Sequence, residues 1–216
     1  MRNGLESLRN SNVMYDMISS YVRYDVFSAG GDLSIIPANV FDNYNFVHFL
    51  ATYWPHTARL TEVDTLIRSA PHNFGQDIDV ALIYYHYAES SILSTYTNTM
   101  GALQRDYPNI KFVYVGAGYM DVNHAAQNQQ SVLFNNGVVS NYLGTVPIYN
   151  LAAILSDDGR CGEAYCPEYS TDPAGVHPNT DFAQRRMAKA FILILESTEF
   201  SASAARFFGG EFGAHL

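Results

Sequence analysis

Hydrophobic side chains recur along the chain with two spacings, one helical and one extended. Residues 57–70 carry apolar positions on one helical face, with Thr57 placed to cap the helix. Residues 80–84 are a near-continuous apolar run, which is typical of a strand buried on both faces of a parallel sheet. A second helix over 91–107 and a second strand over 111–115 follow. This alternation predicts parallel strands joined by helices.

The second half of the chain continues the alternation. We predict a helix over 125–143, a strand that runs into a short helical turn over 146–155, and a strongly periodic last helix over 180–197. These elements favour an α/β fold, namely a flavodoxin-like three-layer sandwich with a central parallel sheet and helices on both faces. The length leaves little room for two domains, so we expect a single domain over residues 1–216.

The pattern is weaker toward the two ends of the chain. Residues 3–22 predict an amphipathic helix and residues 24–27 a short strand. Residues 33–55 are irregular and aromatic, which indicates loop and short helix. The tail over 201–216 is apolar and contains glycine, and it would either dock on a neighbour or fray.

Composition indicates an acidic globular protein. Hydrophobic residues make up 48% of the chain and charged residues 15%, which is enough to form a core. The formal net charge is -9 and the 12 Lys and Arg residues are scattered, so we expect no nucleic-acid partner, because such a partner needs clustered positive charge. No apolar run reaches the roughly 20 residues of a bilayer span. The opening MRNGLESLRN also lacks the order of a signal peptide, so we expect a soluble chain with no membrane partner.

Two cysteines, Cys161 and Cys166, lie close together in the loop-like stretch DDGRCGEAYCPEYS. A local disulfide would clip this loop and would imply an oxidising compartment, consistent with secretion. The alternative is a pair of free thiols. Two ligands alone make a poor zinc site, so we expect no metal here.

The segment YSTDPAGVHPN, which precedes the last helix, is where chemistry is most expected. Ligands of parallel sheets bind beyond the carboxyl ends of the strands, and His177 comes at such a position, five residues after Asp172. An imidazole can take a proton from a nucleophile while a carboxylate holds its other nitrogen. In the alternative interpretation His177 is an ordinary loop histidine and Asp172 a turn residue before Pro173.

This segment, followed by an amphipathic helix, resembles the last block of the SGNH/GDSL hydrolases. The preceding stretches DIDVALIYYHYAES, TNTMGALQRDYPNIKFVYVGAG and VPIYNLAAILSDDG resemble that superfamily in the same order, over roughly residues 77–195. The resemblance implies an esterase that acts on carboxylic esters or acylated carbohydrate. It also implies a Ser-His-Asp triad in which His177 is the base and Asp172 the carboxylate.

The chain departs from the family pattern in two places. The family usually carries Asp three residues before His, whereas Ala174 stands there, so Asp172 requires a longer loop. The family also places its serine after a first strand, whereas this chain opens with a segment that resembles the helix following that serine. We therefore expect the serine segment to be missing or to precede Met1. Within the chain, Ser34 in GGDLS is the candidate nucleophile.

Three further residues are candidates for binding the substrate. His86 and Ser90 follow the strand over 80–84, where the family carries an oxyanion-binding block, and Asn123 follows the next strand. Otherwise His86 is a strand-end histidine satisfied by hydrogen bonds, and Asn123 belongs to a surface loop.

Motifs of other enzyme classes are not found in the sequence. It contains no GxxxxGKS or GxGxxG phosphate loop and no HExxH metal motif, so we expect no cofactor and no metal. Two functions remain. The first is an SGNH-type ester hydrolase. The second is a catalytically inactive protein of the same fold with a glycan-binding or structural role, suggested by the missing serine block and by the 16 Tyr residues.

Overall fold

The computed structural model describes residues 20–52, 55–83, 90–196 and 207–211. The predicted N-terminal helix lies outside these residues except at its end, where the prediction is wrong. Residues 21 and 22 belong to a strand, because Tyr21 and Val22 pair in register with Phe46 and Val47.

The described elements alternate between strand and helix over most of the chain. In order they are β1 (Tyr21–Asp25), β2 (Phe46–Leu50), α1 (His56–Arg68), β3 (Val80–Ile83), α2 (Leu93–Asp106), β4 (Lys111–Gly116), α3 (Ala125–Tyr142), β5 (Ile148–Asn150), α4 (Leu151–Ser156), α5 (Asp181–Glu196) and β6 (Phe207–Glu211). The helices and strands predicted between residues 57 and 197 are thus confirmed to within a few residues. One detail is wrong, because Pro55 rather than Thr57 is the N-cap of α1.

The fold is α/β with parallel strands, and it divides into two compact units. Among the described residues, one unit comprises 90–93 and 115–196, and we call it the first unit. The second unit comprises the described residues 20–52, 55–83, 94–114 and 207–211.

The second unit is built on parallel strands in the order β1, β2, β6, β3, β4. The C-terminal strand β6 therefore lies inside the sheet rather than at its edge. It pairs over its whole length with β2, from Phe46 opposite Phe207 to Leu50 opposite Glu211. On its other side it pairs with β3, where Val80 lies opposite Phe207.

Two of these strands were missed by the sequence patterns. All five residues of β2 are buried, but a histidine interrupts its apolar run, and the region was expected to be loop. His48 is accommodated because its Nδ1 lies 2.8 Å from the Tyr21 hydroxyl. Strand β6 was expected to dock or fray, and its Gly209 and Gly210 weaken any strand signal, yet they pair with β2 and β3.

The first unit packs its helices around β5. The Tyr149 ring is fully buried, contacts the Phe191 ring edge-on and donates a hydrogen bond to the Met187 carbonyl at 2.9 Å. Helix α5 buries Ala183, Met187, Ala188, Phe191 and Ile192. None of the helices in the described part of the chain combines the length and the apolar character needed to cross a bilayer.

The position of β6 predicts how the protein responds to C-terminal truncation. Ending the chain at residue 206 removes a strand that is paired on both sides, which leaves β2 and β3 with unpaired inner edges. We expect the variant to lose most of its free energy of unfolding, which for domains of this kind is about 5–15 kcal/mol. Urea unfolding followed by circular dichroism measures this loss. A chain ending at Glu211 is the matched control, and an unchanged midpoint for the shorter chain would contradict the strand assignment.

Candidate functional site

The candidate site lies in the first unit, on the loop between the Pro167–Tyr169 turn and α5. Thr180 caps α5, because its Oγ1 accepts a hydrogen bond from the Ala183 N–H at 3.3 Å. Ser170 ties the two ends of the loop together. Its hydroxyl donates to the His177 carbonyl at 2.5 Å and accepts the Asp172 N–H at 2.9 Å. The loop therefore enters the helix with both ends fixed.

Asp172 and His177 are brought into direct contact by this loop. The Asp172 Oδ2 lies 2.9 Å from Nδ1 of the His177 ring. The same carboxylate accepts backbone N–H bonds from Ala174 at 2.9 Å, His177 at 3.1 Å and Val176 at 3.3 Å. Asp172 is thus both the turn residue and the partner of the imidazole, so the two interpretations of this residue are compatible.

These bonds favour the ionised form of Asp172. The Ala174 N–H is the main cause that lowers the pKa of Asp172, and the bonds from His177 and Val176 lower it further against the opposing effect of burial. An ionised carboxylate has no proton to donate, so the shared proton lies on Nδ1, and in the neutral ring the lone pair lies on Nε2. The His177 side chain is 28% exposed and its Nε2 is buried. Asp172 therefore contacts the Nδ1 side of the ring, and Nε2 is the nitrogen that does not contact the carboxylate.

A second aspartate–histidine pair lies on the loop that follows β4. Asp121 Oδ1 is 2.6 Å from His124 Nδ1, and it also accepts the Asn123 N–H at 2.9 Å. The Asp121 N–H in turn donates to the Gly175 carbonyl at 2.9 Å, within the His177 loop. Burial raises the pKa of Asp121, but hydrogen bonds from His124 and Asn123 outweigh it and the pKa is lowered. The second pair thus contacts the loop that carries the first.

Two buried asparagines of α3 hold this second loop. Asn128 accepts the Met120 N–H at 2.8 Å and donates to the carbonyls of Met120 at 3.1 Å and Asp121 at 3.0 Å. Asn135 accepts the Ala117 N–H at 2.6 Å and donates to the Ala117 carbonyl at 2.9 Å. Each side-chain amide accepts from a backbone N–H and donates to a backbone carbonyl, as the backbone of a paired strand would. Residues 117–121 are therefore fixed to α3.

Tyr165 packs between the two loops. It is 3% exposed, and its N–H donates to the Met120 carbonyl at 3.0 Å. Burial raises the pKa of Tyr165, and the charges of Asp121 and Asp172 raise it further, against a hydrogen bond to Ser170 that lowers it. The phenol therefore stays neutral and keeps its proton next to two carboxylates.

The sequence did not single out Asp121, Asn128, Asn135 or Gly175. Asp121 and His124 have the three-residue spacing that the resemblance leads one to expect near His177, directly after a buried strand. Asn128 and Asn135 are seven residues apart, which places them on one helical face. These spacings were the available signals. Sequence patterns do not reveal that Asn128 and Asn135 bond to backbone groups, or that the Asp121 N–H bonds to the Gly175 carbonyl.

Three of the other four predicted site residues lie in described parts of the chain, and each has hydrogen-bond partners of its own. Ser90 lies in a short helical turn of the first unit, where its hydroxyl donates to Gln130 Oε1 at 2.7 Å. Asn123 is exposed and donates from Nδ2 to Asp121 Oδ2 at 2.9 Å. Ser34 is exposed on a turn of the second unit, with its N–H on Asp32 Oδ1 at 2.9 Å. His86 lies outside the described residues. The roles predicted for these four residues stay predictions.

Cys161 and Cys166 form a disulfide, so the alternative of two free thiols is wrong. The Cys166 N–H bonds to the Leu155 carbonyl at 2.9 Å and the Cys161 N–H to the Ser156 carbonyl at 3.0 Å. The disulfide thus closes this loop, and the two backbone hydrogen bonds fix the loop to the end of α4.

Comparison with known proteins finds no matching family model, no matching curated protein and no matching solved structure.

The lowered pKa of Asp172 predicts how stability depends on pH. The folded pKa lies below the value of about 3.9 for an unfolded Asp, so the stabilisation is fully present above that pH and is lost as pH falls through the folded pKa. We expect Asp172→Asn to lower the free energy of unfolding at pH 7 by about 1–3 kcal/mol. The difference from wild type should shrink below about pH 4, where the wild-type carboxylate also becomes protonated.

Urea unfolding at a series of pH values measures this difference. Asp181→Asn is the control, since that side chain is 67% exposed and pairs with Arg185 of its own helix. If the difference in free energy of unfolding between wild type and Asp172→Asn stayed constant down to pH 3, the charge of the carboxylate would not be what stabilises the loop.

Proposed function

We propose that this protein is an ester hydrolase of the SGNH/GDSL kind. The observation that supports the proposal is the pairing of His177 Nδ1 with Asp172 Oδ2 at 2.9 Å, on a loop that directly precedes a helix of an α/β fold. We further propose that the fold is the flavodoxin-like three-layer sandwich of that superfamily. Its substrates would be carboxylic esters or acyl groups on carbohydrate.

In the proposed reaction a serine hydroxyl attacks the ester carbonyl while His177 accepts its proton at Nε2. Asp172 holds the ring through Nδ1 and stabilises the imidazolium that forms. The imidazolium then donates its proton to the leaving alcohol, and the acyl-enzyme is hydrolysed by water activated at the same nitrogen. The three backbone N–H bonds to Asp172 support this role, because they keep the carboxylate ionised and correctly placed.

The proposal also assigns a nucleophile and substrate-binding residues. Ser34 is the candidate nucleophile, and His86, Ser90 and Asn123 are the candidate substrate-binding residues. The disulfide between Cys161 and Cys166 favours action in an oxidising compartment, such as outside the cell. The proposed reaction involves no cofactor, metal, nucleic acid or membrane.

Hydrolysis of short p-nitrophenyl esters tests the role of His177. We expect the wild type to be active and His177→Ala to lose at least about 10³-fold in kcat, because the nucleophile then has no base. Asn141→Ala is a matched control, since Asn141 is exposed and bonds to the Gly137 carbonyl of its own helix. Equal rates for wild type and His177→Ala would remove the hydrolase proposal.

A serine-directed fluorophosphonate followed by peptide mapping identifies the nucleophile. Labelling of Ser34, abolished in Ser34→Ala, would support the assignment, whereas labelling of another serine would move the nucleophile there and keep the reaction. Absence of any label, together with absence of ester hydrolysis, would favour the catalytically inactive protein with a glycan-binding or structural role.

A further inference from the structure

The turn that carries Asp172 and His177 bends at Gly175. This residue has a left-handed backbone with φ of +68°, and its N–H donates to the Asp172 carbonyl at 3.0 Å. The residues on its N-terminal side, Pro173 and Ala174, are exposed. The turn therefore needs a support beyond its own residues if the ring of His177 is to be held in one orientation.

That support is Asp121. Its N–H donates to the Gly175 carbonyl at 2.9 Å, and its carboxylate fills the space beside Gly175 where a side chain would otherwise lie. A Cβ added to Gly175 would come within 2.3 Å of Asp121 Oδ2, which is far inside van der Waals contact. Asp121 thus contacts the turn through both its backbone and its side chain.

Asp121 is itself fixed to a rigid element. Its carbonyl accepts the Asn128 side-chain amide at 3.0 Å, and Asn128 is 2% exposed in α3. Its two carboxylate oxygens are bonded by Asn123 and His124. The series of contacts from α3 through Asn128 and Asp121 to Gly175 is therefore continuous, and each step is a hydrogen bond within one unit.

From these contacts we propose that Asp121 is a positioning residue for the His177 ring, with Asn128 as its anchor. The kinetic part of this inference rests on the proposed hydrolase function, whereas its structural part does not. Asp121 acts through Gly175 and does not itself exchange a proton with the substrate. Displacing the turn would move the imidazole away from Asp172, and a misplacement of about 1 Å can cost on the order of 10²-fold in rate.

The test reads the hydrogen bond of the His177 ring directly. The Nδ1 proton shared with Asp172 should give a downfield proton NMR signal, assigned by its loss in His177→Ala. We expect the signal to be weakened or lost in Asp121→Ala and in Asn128→Ala. It should persist in Asp121→Asn, which keeps the size of the side chain and an oxygen acceptor. Asp181→Ala and Asn141→Ala are the matched controls and should keep the signal.

Gly175→Ala perturbs the same contact from the other side and leaves α3 untouched, so it serves if Asp121→Ala does not fold. It should also remove the signal, because the new Cβ meets the Asp121 carboxylate. The double variant Asp121→Ala/Gly175→Ala should be no worse than Gly175→Ala alone, since the clash is relieved. An intact signal in folded Asp121→Ala and in Gly175→Ala would overturn the proposal.

Ester hydrolysis by the same variants gives the second readout. We expect kcat to fall by about 10–100-fold in Asp121→Ala, with KM within about twofold of wild type, because the base rather than the substrate is displaced. A rise in KM with unchanged kcat would contradict a positioning role. If the wild type hydrolyses no ester but the NMR signal responds as expected, the hydrolase proposal fails and the positioning role of Asp121 stands.

Discussion

A carboxylate in a half-buried loop must have its charge compensated, and Asp172 obtains this compensation mainly from the loop to which it belongs. Three backbone N–H groups, from Ala174, Val176 and His177, point at its two oxygens. The loop can adopt this path only because the carboxylate is there to accept those bonds, and the carboxylate stays ionised because the loop supplies them. The same arrangement leaves Oδ2 in contact with the imidazole, so the structure of the turn and the orientation of the His177 ring depend on one group.

The neighbouring side chains are arranged around this charge. Ser170 bonds both the N–H of Asp172 and the carbonyl of His177, which closes the loop at its base. Tyr165 is buried beside it, and the raised pKa of its phenol keeps a neutral group, rather than a third negative charge, next to Asp121 and Asp172. Cys166 of the disulfide directly follows Tyr165, so the disulfide restrains the backbone next to this tyrosine. The net charge of the protein is -9, but dissolved ions screen the distant charges. The neighbouring groups therefore affect these two carboxylates more than the distant charges do.

The helices were predictable because each exposes one face and buries the other, as α1 does with Leu60, Val63, Leu66 and Ile67. Strands β3 and β4 were predictable because they are continuous apolar runs. Strand β2 was not, because His48 breaks its run and is accommodated by a contact with Tyr21 of a neighbouring strand, which the sequence pattern does not reveal. Strand β6 was not, because two central glycines carry no pattern.

Within the site, Asp172 and His177 are close in sequence and could be proposed together. The contact of Asp121 with Gly175 joins residues 54 positions apart through backbone groups, which no spacing rule reports.

The two aspartate–histidine pairs differ in how their carboxylates are used, and this difference decides their roles. Asp172 receives its backbone bonds from the turn that it stabilises, so its charge is directed at His177. Both carboxylate oxygens of Asp121 are bonded by Asn123 and His124. Asp121 contacts the other loop through its backbone N–H and through the volume of its side chain. A group placed in this way contributes rigidity rather than charge. Because Asn128 lies in a helix, its bond to Asp121 connects the turn of His177 to α3 rather than to another loop.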